Sequence, residues 1–254
     1  MGIRRWLAVT AAVAVLSGCF ESETLIKVNT DGSGTVEQTI LLSPTGMAFA
    51  AEMIERPTDD ALWEMAGKMG PGVAPVSAEP TSDAAGRQGL RTVFQFKSLG
   101  DLRVSQNMLD DGDSPAPYRF AFAAGTPARL EIRQDNPLED APTRASGGSE
   151  VSSEAAESMT DAGQMEMLKT LLSDMRVTIA IEVNGQVVTS NASHRDGSRI
   201  TLLDIPFSRI LDDPDALGSL VGGDSPDPAT VARALAEKAG VTVELQDLVV
   251  VEFR

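Results

Sequence analysis

One cysteine, Cys19, and one histidine, His194, are all the thiol and imidazole chemistry that the 254 residues offer. A nucleophile–histidine pair or an imidazole-rich zinc site has little to work with. His194 stands in the polar stretch Asn191–Gly197 and reads as a surface residue. Carboxylates are abundant, with 37 Asp and Glu. Around Asn29, Asp31 and Gly32 the spacing looks like a calcium loop, but Lys27 would then fill the first ligand position and Gln38 the last. Neither is the carboxylate those positions require. Asp110-Asp111-Gly112-Asp113 and Asp212-Asp213-Pro214-Asp215 are acidic clusters without ligand spacing, and they read as solvated loops. Gly32-Ser33-Gly34 precedes a strand-like run and not a helix, so it lacks the helix N-terminus that cradles a phosphate. With so many acids a pair for glycoside hydrolysis can always be drawn on paper, and such a pair carries no information. No catalytic, metal or cofactor residues are therefore assigned. Trp63 and Tyr118 read as core residues.

Cys19 has a more specific context. Arg4 and Arg5 precede an apolar stretch, Trp6–Leu16, and then the small residues Ser17 and Gly18. That order is the order of a secretory leader, here residues 1–18. The apolar stretch falls short of the roughly 20 residues that cross a bilayer as a helix. Leu16-Ser17-Gly18-Cys19 resembles the lipobox of bacterial lipoproteins. The resemblance implies that Cys19 receives a diacylglyceryl group and that cleavage falls just before it. Two or more acyl chains make such an anchor stable. With its sulfur so occupied, the chain forms no internal disulfide in an oxidising compartment. Phe20, where an Asp would signal inner-membrane retention, favours the outer membrane by analogy. Residues 19–23 then form a short spacer ahead of the folded part, 24–254.

The formal charge of −16 sets a second boundary. A field this acidic argues against nucleic acid and against electrostatic adsorption to anionic lipid. Membrane attachment therefore falls to the acyl chains.

The elements that must position any site follow from periodicity. Thr24–Thr30 and Thr35–Leu42 alternate about Asp31-Gly32, a hairpin pattern. Ser43-Pro44 starts a helix reaching Arg56, and Thr58 starts another with Leu62, Met65, Ala66 and Met69 inward. Residues 70–88 lack periodicity and read as loop. Leu90–Lys97, Pro117–Ala123 and Ala128–Gln134 are strands, and Asp101–Leu109 a short helix. Residues 135–158 are poor in apolar side chains and read as a flexible linker. Asp161–Ser173 is a helix. Val177–Val183 and Val187–Asn191 flank Asn184-Gly185, the strongest hairpin signal in the chain. Ile200–Ile205 is a strand, Asp227-Pro228 starts a helix that faces inward with Val231, Ala232, Leu235 and Ala236 and that Gly240 stops, and Val241–Phe253 is a closing β segment. Strands in hairpins with helices between groups predict an α+β fold: a largely antiparallel sheet with helices packed on one side.

The run Val177–Leu211, with Asn184-Gly185, Gln186-Val187-Val188-Thr189-Ser190-Asn191 and Ile200-Thr201-Leu202-Leu203, is similar to uncharacterised bacterial lipoproteins of the LppM type. The lipobox and the early Asp31-Gly32-Ser33-Gly34 hairpin extend the resemblance to about a quarter of the chain. It departs where that group tends to carry an aromatic residue, since Leu202 and Leu203 stand there. The family brings no catalytic residues. It implies a non-enzymatic binding or structural module of the cell envelope, anchored by lipid, whose partner is a lipid, a glycan or a protein. The ten methionines suit an adaptable apolar lining. The alternative is a carboxylate- or metal-dependent hydrolase of the envelope, which would need two acids converging in a deep cleft.

Overall fold

The computed structural model describes residues 20–44, 46–47, 51–104, 118–134, 175–208 and 240–254. The leader, the Leu16–Cys19 motif, the 135–158 stretch, both acidic clusters and the helices expected at 161–173 and from Asp227 up to Gly240 lie outside the described residues.

β1 (Phe20–Val28) and β2 (Gly34–Leu42) form the expected hairpin, in unbroken register from Phe20↔Leu42 to Val28↔Gly34. β1 runs through Phe20–Glu23, four residues further towards the N-terminus than the alternation predicts. Asp31 shapes the turn by accepting from the Ser33 N–H (2.9 Å) and the Ser33 hydroxyl (2.6 Å). Gly32 takes φ 84° there, a conformation that favours glycine.

β2 pairs on its other side with β4 (Gln88–Phe96), and β4 with β3 (Ala74–Ser82). β3 occupies the stretch expected to be loop. Its Pro75 and Pro80 and a register shift between Pro75 and Ser77 remove the alternation that marks a strand. All three features are tolerated because β3 is an edge strand.

β7 (Met175–Val183) lies parallel to β1, from Phe20↔Met175 to Val28↔Val183. Its other side takes β10 (Arg199–Pro206), which in turn pairs with β9 (Arg195–Asp196) and β11 (Thr242–Val243). The larger sheet thus runs β11-β10-β7-β1-β2-β4-β3. A second, antiparallel sheet runs β5 (Tyr118–Ala123), β6 (Ala128–Gln134), β12 (Leu248–Phe253) and β8 (Val187–Ser190).

Asn184-Gly185 is therefore not the turn of a simple hairpin. Both edges of β7 are taken, by β1 and β10, so β8 crosses to the second sheet and pairs with β12. The crossing is tied down at the chain end, where Gln186 N–H donates to Arg254 O (2.7 Å) and Arg254 N–H to Gln186 O (3.0 Å).

Alternation gives each sheet one apolar face. Ile26, Val28, Val36, Phe94, Phe96, Ile179, Ile181 and Ile200 of the larger sheet share one buried cluster with Tyr118, Phe120, Leu130, Ile132, Val249, Val251 and Phe253 of the smaller. Among the described residues helical structure is minor by comparison. α1 (Asp59–Met69) is capped by Thr58, whose Oγ1 accepts from Ala61 N–H (3.3 Å), and it buries Leu62, Ala66 and Met69 at helical spacing. Ser43 caps a helical turn at Pro44, Gly46 and Met47, as its position predicts, and Ala51–Ile54 is a 3-10 turn. Leu99–Asp101 is another such turn, and Leu102 and Val104 continue from it as buried, non-helical residues.

The expected fold class is corrected accordingly. The described residues are mostly β, in one mixed and one antiparallel sheet. Among the described residues, what covers the larger sheet's apolar face is mainly a second sheet, a role the α+β reading gave to helices.

Candidate binding cleft

The apolar face of β2 and β4 does not go wholly to the second sheet. Val36, Gln38 and Ile40 of β2, with Leu90 and Thr92 of β4, form the floor of a cavity of about 610 Å³. Gln38 stands opposite Thr92 and Ile40 opposite Leu90, so the floor is two adjacent strands read at every second residue. The wall is α1, whose Ala61, Met65, Lys68 and Met69 line the cavity beside Arg103 and Val104. Glu52, Glu55, Arg56, Pro57 and Thr58 line its other end. Arg103 N–H donates to Met69 O (2.7 Å), which joins the end of α1 to this strip.

The volume falls within the few hundred to about a thousand Å³ of small-molecule sites, and an apolar lining with a few polar groups is their usual make-up. Val36, Ile40, Leu90, Met65, Met69 and Val104 supply apolar contact. Arg56, Lys68 and Arg103 place three cations against Glu52 and Glu55 among the lining residues, in a chain that is acidic overall. Lys68 also lies 3.4 Å from Glu64, and the Arg103 guanidinium donates to Leu102 O (3.2 Å).

The outward face of the same sheet is different in kind. Lys27 and Arg91 both donate to Glu37 (2.8 and 2.7 Å), Arg199 to Glu23 (2.6 Å), and Arg176 makes two 2.7 Å bonds to Asp204. Arg87 joins Glu21 to Asp83. Burial alone would raise the Glu37 carboxyl, and the hydrogen bonds from Lys27 and Arg91 outweigh it and hold the group below its ordinary value. The bond from Arg87 likewise lowers Asp83. Each acid of this face named here has a cationic partner.

His194 is exposed, and its carbonyl accepts from Thr201 N–H (2.9 Å). Next to it lies a residue that sequence patterning did not single out. Glu244 is fully buried and accepts from Ser193 N–H (2.6 Å), Ser193 Oγ (2.9 Å) and Gln246 N–H (3.1 Å). It is a clamp between the 191–198 loop and the approach to β12. Tyr118 is buried as expected, whereas Trp63 stands 58% exposed on α1 and not in the core. Trp63 falls outside the Leu62, Ala66, Met69 stripe, so helical spacing turns it away from the sheets. Asp31 spends its carboxylate on the turn, and its bond to the Ser33 hydroxyl lowers its pKa. Among the described residues no group of three or more His, Cys, Asp or Glu is arranged to hold a metal, and no helix is long and apolar enough to cross a membrane.

Of the residues read as an inward stripe from sequence, Met65 and Met69 reach the cleft. Arg56 and Arg103 were invisible as site residues, because they lie in irregular segments whose neighbours only the fold supplies.

No family model matches the chain, and no curated protein matches it. Among solved structures, the solution structure of the folded domain of the Mycobacterium tuberculosis LppM protein aligns with 78% of this chain and 88% of its own length. The TM-score is 0.34 and the identity 12%.

Proposed function

We propose that this protein is a non-enzymatic binding module of the bacterial cell envelope, anchored through lipid on Cys19, that holds the apolar part of a small ligand between α1 and the β2–β4 floor. The observation that carries the reading is the cleft: about 610 Å³ of largely apolar wall kept open beside a packed core. A ligand that covers the apolar part of this open cleft removes that surface from water, which is favourable at about 25 cal/mol per Å². Met65 and Met69 adapt their unbranched side chains to an occupant at little cost. The leader and the Leu16–Cys19 motif support the envelope location, with the outer membrane favoured by Phe20.

Native mass spectrometry of the chain isolated from membranes tests the proposal. The expected result is an added mass on Cys19 together with a second, non-covalent mass that organic extraction removes. Ile40→Trp projects an indole into the cleft and should abolish the non-covalent mass while the far-ultraviolet spectrum is retained. An unchanged ligand load in Ile40→Trp refutes the cleft as the site.

A further inference from the structure

The two ends of the larger sheet differ in kind. At one end the strands meet polar turns, with Asn29, Asp31, Ser33 and Asn184 linked by hydrogen bonds of 2.6–3.0 Å. At the other end the last row is apolar across the three central strands, β7, β1 and β2, and turns polar at Gln88 of β4 and Ser82 of β3, with the Glu21–Arg87–Asp83 ion pairs beside it. Phe20 of β1 sits between Leu42 of β2 and Met175 of β7, and Phe207 follows Pro206, the partner of Arg176. Phe20, Met175 and Phe207 each keep part of their surface exposed.

Phe20 is also the residue next to Cys19. One peptide bond joins the expected lipid attachment to the first residue of a strand already paired on both edges. A tether this short leaves the domain little freedom to swing. It also presents the apolar row to the bilayer at high effective concentration. Charge does not assist, since a chain of net −16 gains nothing from anionic lipid. Apolar contact at the interface is the attraction available.

Resting on the anchored reading above, we propose that the Phe20 end of the larger sheet is a membrane-docking pole that seats Phe20, Met175 and Phe207 against the lipid surface, with the Asp31 and Asn184 turns pointing away. The nine residues of β1 separate the two poles by about 30 Å.

The test uses the lipidated chain in phosphatidylcholine vesicles containing brominated acyl chains. Cys19 is the one native cysteine, so a second can be placed at exposed Ala85, in the β3–β4 turn of the docking pole, or at exposed Asp196, near the opposite pole, and labelled with an environment-sensitive fluorophore. Across a separation of about 30 Å the expected result is quenching at least about threefold stronger at Ala85→Cys than at Asp196→Cys. Equal quenching, or stronger quenching at Asp196→Cys, overturns the docked orientation while leaving the anchor in place. Flotation of the unlabelled chain beside Cys19→Ser tests the anchor separately. If neither chain floats with the vesicles, both the anchor and the pole are refuted.

Discussion

Glu244 shows how a single residue can join parts of the chain that sequence patterning treats separately. Its carboxylate is buried and receives two backbone N–H groups and one hydroxyl, so three donors depend on one side chain. Hydrogen bonds to a charged group contribute about 1.5–3 kcal/mol, and donors left unmet cost a comparable amount. Glu244→Ala should therefore lower stability by about 3 kcal/mol, read from the urea midpoint, and Glu244→Gln by less because an amide oxygen still accepts. No periodicity marks such a residue. Glu244-Leu245-Gln246 looks like any polar interruption of a β segment until the 191–198 loop is seen against it.

Glu37 makes a second argument at this scale. Its carboxyl is held below the ordinary value in the folded chain by Lys27 and Arg91, against the opposing effect of burial. A carboxylate whose folded pKa is depressed contributes stability that is complete above its unfolded value, near 4.3, and is lost as pH falls through the folded one. The melting temperature should therefore drop on acidification below about pH 4.3, and Glu37→Gln should flatten that drop. Parallel pH profiles of the two proteins that superimpose in shape would remove Glu37 from the account.

At the scale of elements, the contrast between two glycines separates what pairing demands from what propensity prefers. Gly89 lies in β4 opposite Leu41, where a Cβ would run into the carbonyl oxygen of Ile40. Gly67 lies in α1, where a Cβ would meet nothing. Gly89→Ala must push β2 and β4 apart and should cost about 2 kcal/mol. Gly67→Ala should stabilise by about 0.5–1 kcal/mol, because alanine loses less backbone freedom on joining a helix. Chemical denaturation of both variants reads the opposite signs directly.

The strands that sequence reveals are those with one buried face, since only they alternate. β1, β2, β6 and β7 are legible for that reason. β3 is not, because an edge strand carrying Pro75, Pro80 and a bulge has no alternation to detect. The cleft was legible only in part. Met65 and Met69 follow from the α1 stripe, but the β2–β4 floor becomes a floor only once α1 is known to lie over it.

Pairing partners across the whole molecule are the least local information, and here they decide the fold class. A turn signal such as Asn184-Gly185 specifies that the chain reverses, not which strand it will meet. The edge of β7 that β8 would need is occupied by β1, some 150 residues away in sequence, in a parallel register that no local signal encodes. β6 likewise waits for β12, at the chain's end. Both sheets are thus completed by residues beyond 174, so neither sheet belongs to one half of the sequence. A fragment ending at Gln134 would leave β1 and β6 with bare edges and half of the shared core open to water. It should show no cooperative transition. In the chain from Cys19 onward carrying Trp63→Phe, which removes the overlapping indole, far-ultraviolet dichroism reports both sheets, and the near-ultraviolet signal of Tyr118, the sole tyrosine, reports the smaller one. Coincident urea midpoints for the two signals are the expected result of one shared core. A fragment that melts cooperatively by itself, or two separated midpoints, would show that the sheets fold as independent units.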